Sequence, residues 1–417
     1  MSNLLDQASI ILTATSYDVS KVLCVKPSAA PYGDFDFSRA TEASRINSSG
    51  LIETVGINIP RINYENGCGS LLFEPQSTNL ITQSELFSDA SWTKIATTVS
   101  SNSTTSPSGG INASTIVSTN ATSEQYLDVG GLSVTSGDSY NLCCFVKKKD
   151  YDYFLIRFTG VGGAFVASNA FFDINNGTLG TVDSGLVGSI TDYGNGWYRC
   201  SATIVASATT VSGKVRLQLA SSDNSEAIVG DGTSGTFVWG TQFEAQSYST
   251  SYIPTEGTTK TRNQDLCTNG GDVSLISSTE GTLYAEIAAL ADDLTFRSIS
   301  LSDGSTNNVV TIRYRTNSNR IQVFVFSGGV LQFSKSFDVT NILDFNKVAI
   351  SYNQSDFNYW VNGVKRENST SGNTPIGMNK LSFDAGGGSY PFFGKTKCLA
   401  VWKESLSDTE LTELTTI

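Results

Sequence analysis

The sequence predicts an all-β protein: a small hairpin-rich N-terminal anchor followed by two jelly-roll β-sandwich domains. Three observations carry that prediction. Glycine is frequent (38) while proline is scarce (8) and charged residues make up only 16%. Ser, Thr and Asn recur throughout, the palette of short strands and polar turns rather than of helical bundles. Runs of two-residue alternation are broken by Gly, Asn and Asp turns at short intervals. The hydrophobic content of 39% suffices for ordered cores. A chain of 417 residues is too long for one core and suits two or three domains.

Residues 1–82 come first, as a region too small and irregular to stand alone. Leu4 to Thr13 reads as a short helix or strand. Extended segments follow through Gly33–Thr41, Ser44–Glu53, Pro60–Tyr64 and Leu71–Gln76. Stability by docking on something else is expected for this region. Residues 83–256 form the first predicted sandwich, with strands at Tyr140–Val146, Tyr153–Phe158, Ala170–Asp173, Trp197–Val205, Lys214–Leu219 and Thr236–Glu244. Asn175-Asn176-Gly177 and Asn195-Gly196 are strong hairpin signals. After a linker at 257–266, residues 267–417 form the second sandwich. Its strands fall at Thr282–Ile287, Val309–Arg315, Ile321–Phe326, Lys347–Tyr352, Phe357–Val361, Lys380–Asp384 and Gly394–Trp402. Asn362-Gly363 closes a hairpin there, and Ser407-Asp408-Thr409-Glu410 is a capping box that opens a final short helix.

Composition excludes several kinds of chemistry. The chain has no histidine, so the commonest general base and metal ligand is missing and no Ser-His or Cys-His pair exists. The net charge of −12 repels phosphate polyanions and makes nucleic acid an improbable partner. Seven cysteines are present, an odd number without a CxxC spacing. They read as reduced and mostly buried small apolar residues, with a Cys24–Cys68 bridge left open. Met1 to Leu5 carry no basic residue and Ile10-Ile11-Leu12 is too short for a leader or a membrane span, so neither a signal peptide nor membrane insertion is expected. An extracellular palette without an export signal fits assembly into a particle in a host cytoplasm and release by lysis.

The N-terminal segments resemble a module that opens bacteriophage fibre and structural proteins. The residues that carry this are Asp36-Phe37-Ser38-Arg39-Ala40-Thr41, Ser44-Arg45-Ile46-Asn47-Ser48-Ser49-Gly50-Leu51-Ile52-Glu53, Pro60-Arg61 and Leu72-Phe73-Glu74-Pro75-Gln76-Ser77-Thr78-Asn79-Leu80. Asp192-Tyr193-Gly194-Asn195-Gly196-Trp197-Tyr198-Arg199-Cys200, Trp239–Glu244 and Thr250–Thr255 look like the carbohydrate-binding-like sandwich that follows this module. Leu283–Ile287 and Tyr359-Trp360-Val361-Asn362-Gly363 resemble a concanavalin-like or laminin-G-like domain. The resemblance implies a head or tail fibre or spike on the virion surface, with other virion proteins and host-surface polysaccharide as partners. Trimerisation suits such a fibre, although no coiled-coil heptads support it.

Strand alternation nominates ligand-binding residues. Tyr198, Cys200, Ala202 and Ile204 share one face, which sends Trp197 and Arg199 to the other. Phe357, Tyr359 and Val361 share a face, which sends Trp360 the opposite way. An exposed Trp stacks on the apolar C–H face of a sugar, and Arg199 would bond its hydroxyls or a carboxylate. Aromatics pack more often than they bind, so a covering loop or domain is the stronger expectation for both Trp. Trp239, aligned with Phe237 and Phe243, and Trp402 read as core. Asp36, Arg39, Arg45 and Glu53 are candidates for docking on the virion, or for pairing within residues 1–82.

No catalytic residue is assigned. Asp292-Asp293 and Asp150-Tyr151-Asp152 fall in turns, and no Glu-x-Asp-x-x-Glu run occurs. No cofactor is expected. Asp303-Gly304-Ser305 and Asp384-Ala385-Gly386 offer one carboxylate per loop to calcium, which is weak beside their reading as turns. The sequence therefore reads as a non-catalytic virion fibre or spike that binds glycan. A capsid decoration protein is the alternative, and a polysaccharide depolymerase comes third.

Overall fold

The computed structural model describes residues 4–27 and 33–417. Met1, Ser2 and Asn3, part of the segment behind the no-leader expectation, lie outside them. The chain is all-β, with one α-helix, Asp408–Thr415, among the described residues. No described helix is long and apolar enough to cross a membrane.

The chain divides into two compact units whose sequences interleave. The first holds residues 1–42, 55–75 and 263–417, and the second holds 43–54 and 76–262. Residues 1–82 therefore do not form a separate anchor, which corrects the sequence-based division. The cause is strand pairing over long sequence distances. Ile10–Thr13 pairs with Gly394–Trp402, Ile10 standing opposite Val401 and Leu12 opposite Leu399. Cys68–Phe73 pairs with the other end of that strand, Leu72 opposite Lys395. Phe35–Ser38 pairs with Leu266–Thr268. The partner that this region needs is the remainder of its own chain.

In the first unit an eight-stranded sheet contains Glu280–Ala289, Asn346–Asn353, Asp356–Val361 and Gly394–Trp402. A five-stranded sheet runs in the order Val330–Asp338, Arg320–Ser327, Val309–Tyr314, Arg297–Ser302 and Lys380–Ser382. Their apolar faces meet in one core that includes Leu283, Ile299, Ile312, Val323, Ile350 and Tyr359. In the second unit two six-stranded sheets enclose a core with Ile116, Leu142, Phe154, Phe172, Leu217 and Phe243. Both units are sandwiches in which alternate residues of each strand face inward.

Local signals act as expected. Asn362 and Gly363 have φ of 51° and 77°, the pair of positive values that a two-residue type I′ hairpin demands. Asn195 and Gly196, with 53° and 76°, turn the chain together with Gly194 in a three-residue loop between Tyr193 and Trp197. Ser407 Oγ accepts the Glu410 backbone N–H, while the Glu410 carboxylate accepts the Ser407 N–H at 2.8 Å. The cysteines are all free thiols. Cys24 is buried with its Sγ 3.0 Å from Gly33 O, and Cys68 is exposed, so no bridge joins them.

Candidate functional site

The two nominated tryptophans point where alternation sends them, but both outward faces are covered. Trp197 is 2% exposed. It packs with Ile52, Phe145, Trp239 and Tyr252, and its Nε1 donates to Thr105 O at 3.0 Å. The hairpin of Ala43–Ile46 and Ile52–Val55 supplies Ile52, and the loop before Ala113–Ser118 supplies Thr105. Trp360 is 5% exposed and packs with Tyr284, Trp402, Leu406 and Leu411, beneath the C-terminal helix. Neither presents a ring to a ligand. Arg199 is 7% exposed. Its guanidinium lies 5.3 Å from the Phe145 ring centre and donates to Cys143 Sγ, with Nη2 at 3.0 Å. Trp239 is buried as expected but apart from Phe243. The chain bulges at Gly240, φ 60°, which moves Trp239 and Phe243 to opposite faces and separate clusters.

The four docking candidates pair within the chain. Arg39 is fully buried with Asp265 at 3.0 Å. Arg45 Nε meets Glu53 at 2.7 Å. Asp36 meets Lys21 at 2.5 Å and accepts from Asn269 Nδ2 at 2.9 Å. Asp36, Arg45 and Glu53 thus pair within residues 1–82, whereas Arg39 pairs outside them.

The two calcium-loop candidates come together. A Cβ on Gly386 would stand 2.4 Å from Ser305 O, so only glycine lets these loops pack, and Gly386 also has φ 88°. Each carboxylate closes its own turn. Asp303 accepts from Ser305 N at 2.9 Å and Asn308 Nδ2 at 2.8 Å, and Asp384 accepts from Gly386 N at 2.6 Å.

A cleft of about 650 Å³ in the second unit is lined by Gln83, Glu85, Leu86, Thr255, Glu256 and Lys260. Glu85 accepts from the Tyr252 hydroxyl and from Asn112 Nδ2, each at 2.9 Å. Burial raises its pKa above the ordinary 4.5, and these neutral donors offset this only in part. The sign of its effect on stability follows. Below 4.5 the group is protonated folded or unfolded. As pH rises, the unfolded chain loses the proton first, so stability declines through the raised folded value. Glu85→Gln is expected to remove that component. Urea midpoints from about pH 4 to about pH 7 should fall more steeply for the native chain than for the variant, and parallel curves would refute the assignment.

A second polar cluster lies on the outer side of the five-stranded sheet of the first unit, where Ser298, Ser300, Thr311 and Gln322 are buried and Arg313 and Arg315 are half-buried. Register places its outward residues in rows. Ser382, Ser300, Thr311, Phe324 and Ser334 form one row, and Ser298, Arg313, Gln322 and Ser336 form the next. Arg313 is held between two rings, with its guanidinium carbon 4.3 Å from the Phe296 centre and 4.5 Å from that of Phe324. Arg315 stands two residues on, hence on the same face. Arg313 Nε and Arg315 Nη1 both donate to Gln322 Oε1, at 2.7 and 3.1 Å, and Gln322 Nε2 is in turn fixed by Ser334 Oγ at 2.8 Å. Burial and the neighbouring Arg315 push the Arg313 pKa down to about 10. The next Arg on this side, Arg320, does have a carboxylate, Asp338, at 2.5 Å.

Tyr390 completes the rim. It is 51% exposed and alone among the described aromatic residues in being exposed. Its ring meets Phe296 edge-on at 5.3 Å, and its carbonyl accepts the Ser298 N–H at 3.1 Å. Tyr390 and Leu294 both adopt positive φ, 50° and 57°. The other non-glycine residues in that region are Asn, Ser and Ala, so the two bulky exceptions both flank this patch. Such strain persists where surroundings over-determine it and clusters at functional sites. Beneath the rim, the hydroxyls of Ser298, Ser300 and Thr311 are buried without a partner.

Sequence reasoning placed three of these five strands, missing Arg297–Ser302 and Val330–Asp338, and nominated none of these residues. The signal was present in the alternation. Ile321, Val323 and Val325 face the core, which sends Phe324 and Phe326 outward beside Gln322. A phenylalanine on the polar side of a strand is the anomaly to pursue.

No protein-family profile matches the chain, and neither does any curated protein. Among solved structures, the carbohydrate-binding module CBM40 of the Ruminococcus gnavus IT-sialidase, bound to α2,3-sialyllactose, matches at 15% identity. That match covers 33% of this chain and 84% of the module, with a TM-score of 0.30. Domain 4 of the arabinanase AbnA from Geobacillus stearothermophilus, in complex with arabinotriose, matches at 12% identity over 41% of this chain and 84% of the domain, TM-score 0.31. The NanB sialidase of Streptococcus pneumoniae matches at 17% identity, covering 34% of this chain and 25% of the sialidase, TM-score 0.30. The likeness is a distant one between β-sandwiches.

Proposed function

We propose that this chain is a non-catalytic glycan-binding protein of a bacteriophage particle, a fibre or spike that holds host-surface polysaccharide on the face around Tyr390, Phe296 and Arg313. One observation carries the reading: the lone exposed aromatic residue among those described stands beside two guanidiniums that have no carboxylate partner. A sugar has an apolar C–H face and a rim of hydroxyls. Tyr390 and Phe296 offer ring surface to the former, and the arginines and Gln322 offer fixed donors to the latter. The particle setting is supported by the phage-module resemblance of Asp36–Thr41, Ser44–Glu53 and Leu72–Leu80. Many copies on one particle would turn a weak single-site affinity into firm attachment.

Tyr390→Ala tests the site. Loss of one stacked ring, worth about 1 kcal/mol, should weaken binding on a glycan array five- to tenfold. The melting temperature should not move, because the ring is half exposed. Failure of the native chain to bind any glycan at any density would instead favour a decoration protein. Release of reducing ends from host polysaccharide would overturn the non-catalytic reading.

A further inference from the structure

We propose that the glycan held on this face is an acidic one, its carboxylate or sulfate seated against Arg313 and Arg315. The inference rests on the glycan-binding reading and adds the ligand's charge to it. Two like charges two residues apart on one strand face repel each other, and here they share a single neutral acceptor, Gln322 Oε1. The chain has acidic residues to spare, 39 against 27 basic. Arg39, Arg45, Arg61, Arg157, Arg216, Arg297 and Arg320 each have a carboxylate within salt-bridge distance. Arg313 and Arg315 have none among the described residues, and Arg315 Nε is buried without any hydrogen-bond partner. Planar guanidiniums match the two oxygens of a carboxylate or sulfate through paired N–H donors. The rings that clamp Arg313 keep its donors aimed without occupying them. An anion arriving there gains two charge-assisted contacts and relieves the repulsion between the arginines.

The test uses the full chain on an array of neutral, uronic-acid-bearing, sialylated and sulfated glycans, each acidic member printed beside its carboxyl-reduced or desulfated form. The expected result is binding confined to acidic members and weakened by added salt. Arg313→Gln and Arg315→Gln should each reduce it at least tenfold, while Arg313→Lys, which keeps the charge, should retain part of it. Equal binding to acidic and neutralised forms, unchanged in the Gln variants, would overturn this inference and leave the glycan-binding function standing. Competition by inorganic sulfate as effective as by any glycan would mark an adventitious ion only, and would overturn it too. No binding to any glycan would remove the underlying function itself.

Discussion

Asp265→Asn is expected to destabilise the first unit by about 3–5 kcal/mol, the cost of breaking a buried ion pair from one side. Asp265 Oδ1 accepts from Arg39 Nη1 at 3.0 Å, and its Oδ2 accepts both the Glu74 backbone N–H at 2.8 Å and Arg61 Nη2. Arg61 Nη1 reaches Glu74 at 2.6 Å. Both arginines and both carboxylates are buried, so the set is neutral only while complete. Desolvation pulls the Arg61 pKa down, yet the fields of Asp265 and Glu74 outweigh it and the net shift is upward. Asparagine would leave two buried guanidiniums facing one carboxylate, with an amide N–H₂ turned toward like charge. The network joins residues 39, 61, 74 and 265, drawn from all three sequence pieces of the unit. Urea unfolding should show the lowered midpoint. Hydrogen exchange should locate the loss in strands such as Cys68–Phe73 and Gly394–Trp402, with the second unit's strands unaffected. Glu74→Gln, which removes one pair rather than two, should cost less. An unaltered midpoint in Asp265→Asn would show that the network does not hold these pieces together.

That network also marks where sequence reading stops. Strands, turns and the helix cap were legible because each is written within a few adjacent residues: alternation for Val309–Tyr314, Asn-Gly at 195–196 and 362–363, and Ser407 with Glu410. Arg39 and Asp265 are separated by the whole second unit, and nothing local to either names the other. The same limit explains why 1–82 reads as a separate anchor. Ile10–Thr13 looks like an unclaimed strand until Gly394–Trp402 is known to lie beside it. The candidate face is a middle case. Inward and outward sides of its strands follow from alternation. The convergence of Phe296, Arg313, Gln322 and Tyr390 depends on the register of neighbouring strands and on a loop that arrives from far along the chain. Alternation likewise gave the direction of Trp197 and Trp360, but direction is not exposure. What covers a face is decided by segments remote in sequence.

Trp360→Ala puts that distinction to a measurement. A Trp serving a ligand on an open face would, when truncated, lower binding and leave the melting temperature unchanged. The structure leads to the opposite expectation. Trp360 is buried against Tyr284, Ala349, Ala400, Trp402, Leu406 and Leu411, and its Nε1 has no hydrogen-bond partner, so its contribution is packing alone. Replacing such a ring by a methyl group leaves a cavity and costs about 3–5 kcal/mol. The loss should fall first on the C-terminal helix. Asp408–Thr415 is eight residues long, too short to hold its shape in water without a surface to dock on. Leu411, buried on its inner side, packs in the same cluster as Trp360. Amide protection in the helix should therefore collapse even where the sandwich stays folded, while glycan binding below the new melting temperature stays at the native level, because Arg313 lies on the other sheet and Tyr390 in a loop bonded to that sheet. A stable Trp360→Ala protein that has lost its ligand would place the binding site on the eight-stranded sheet instead.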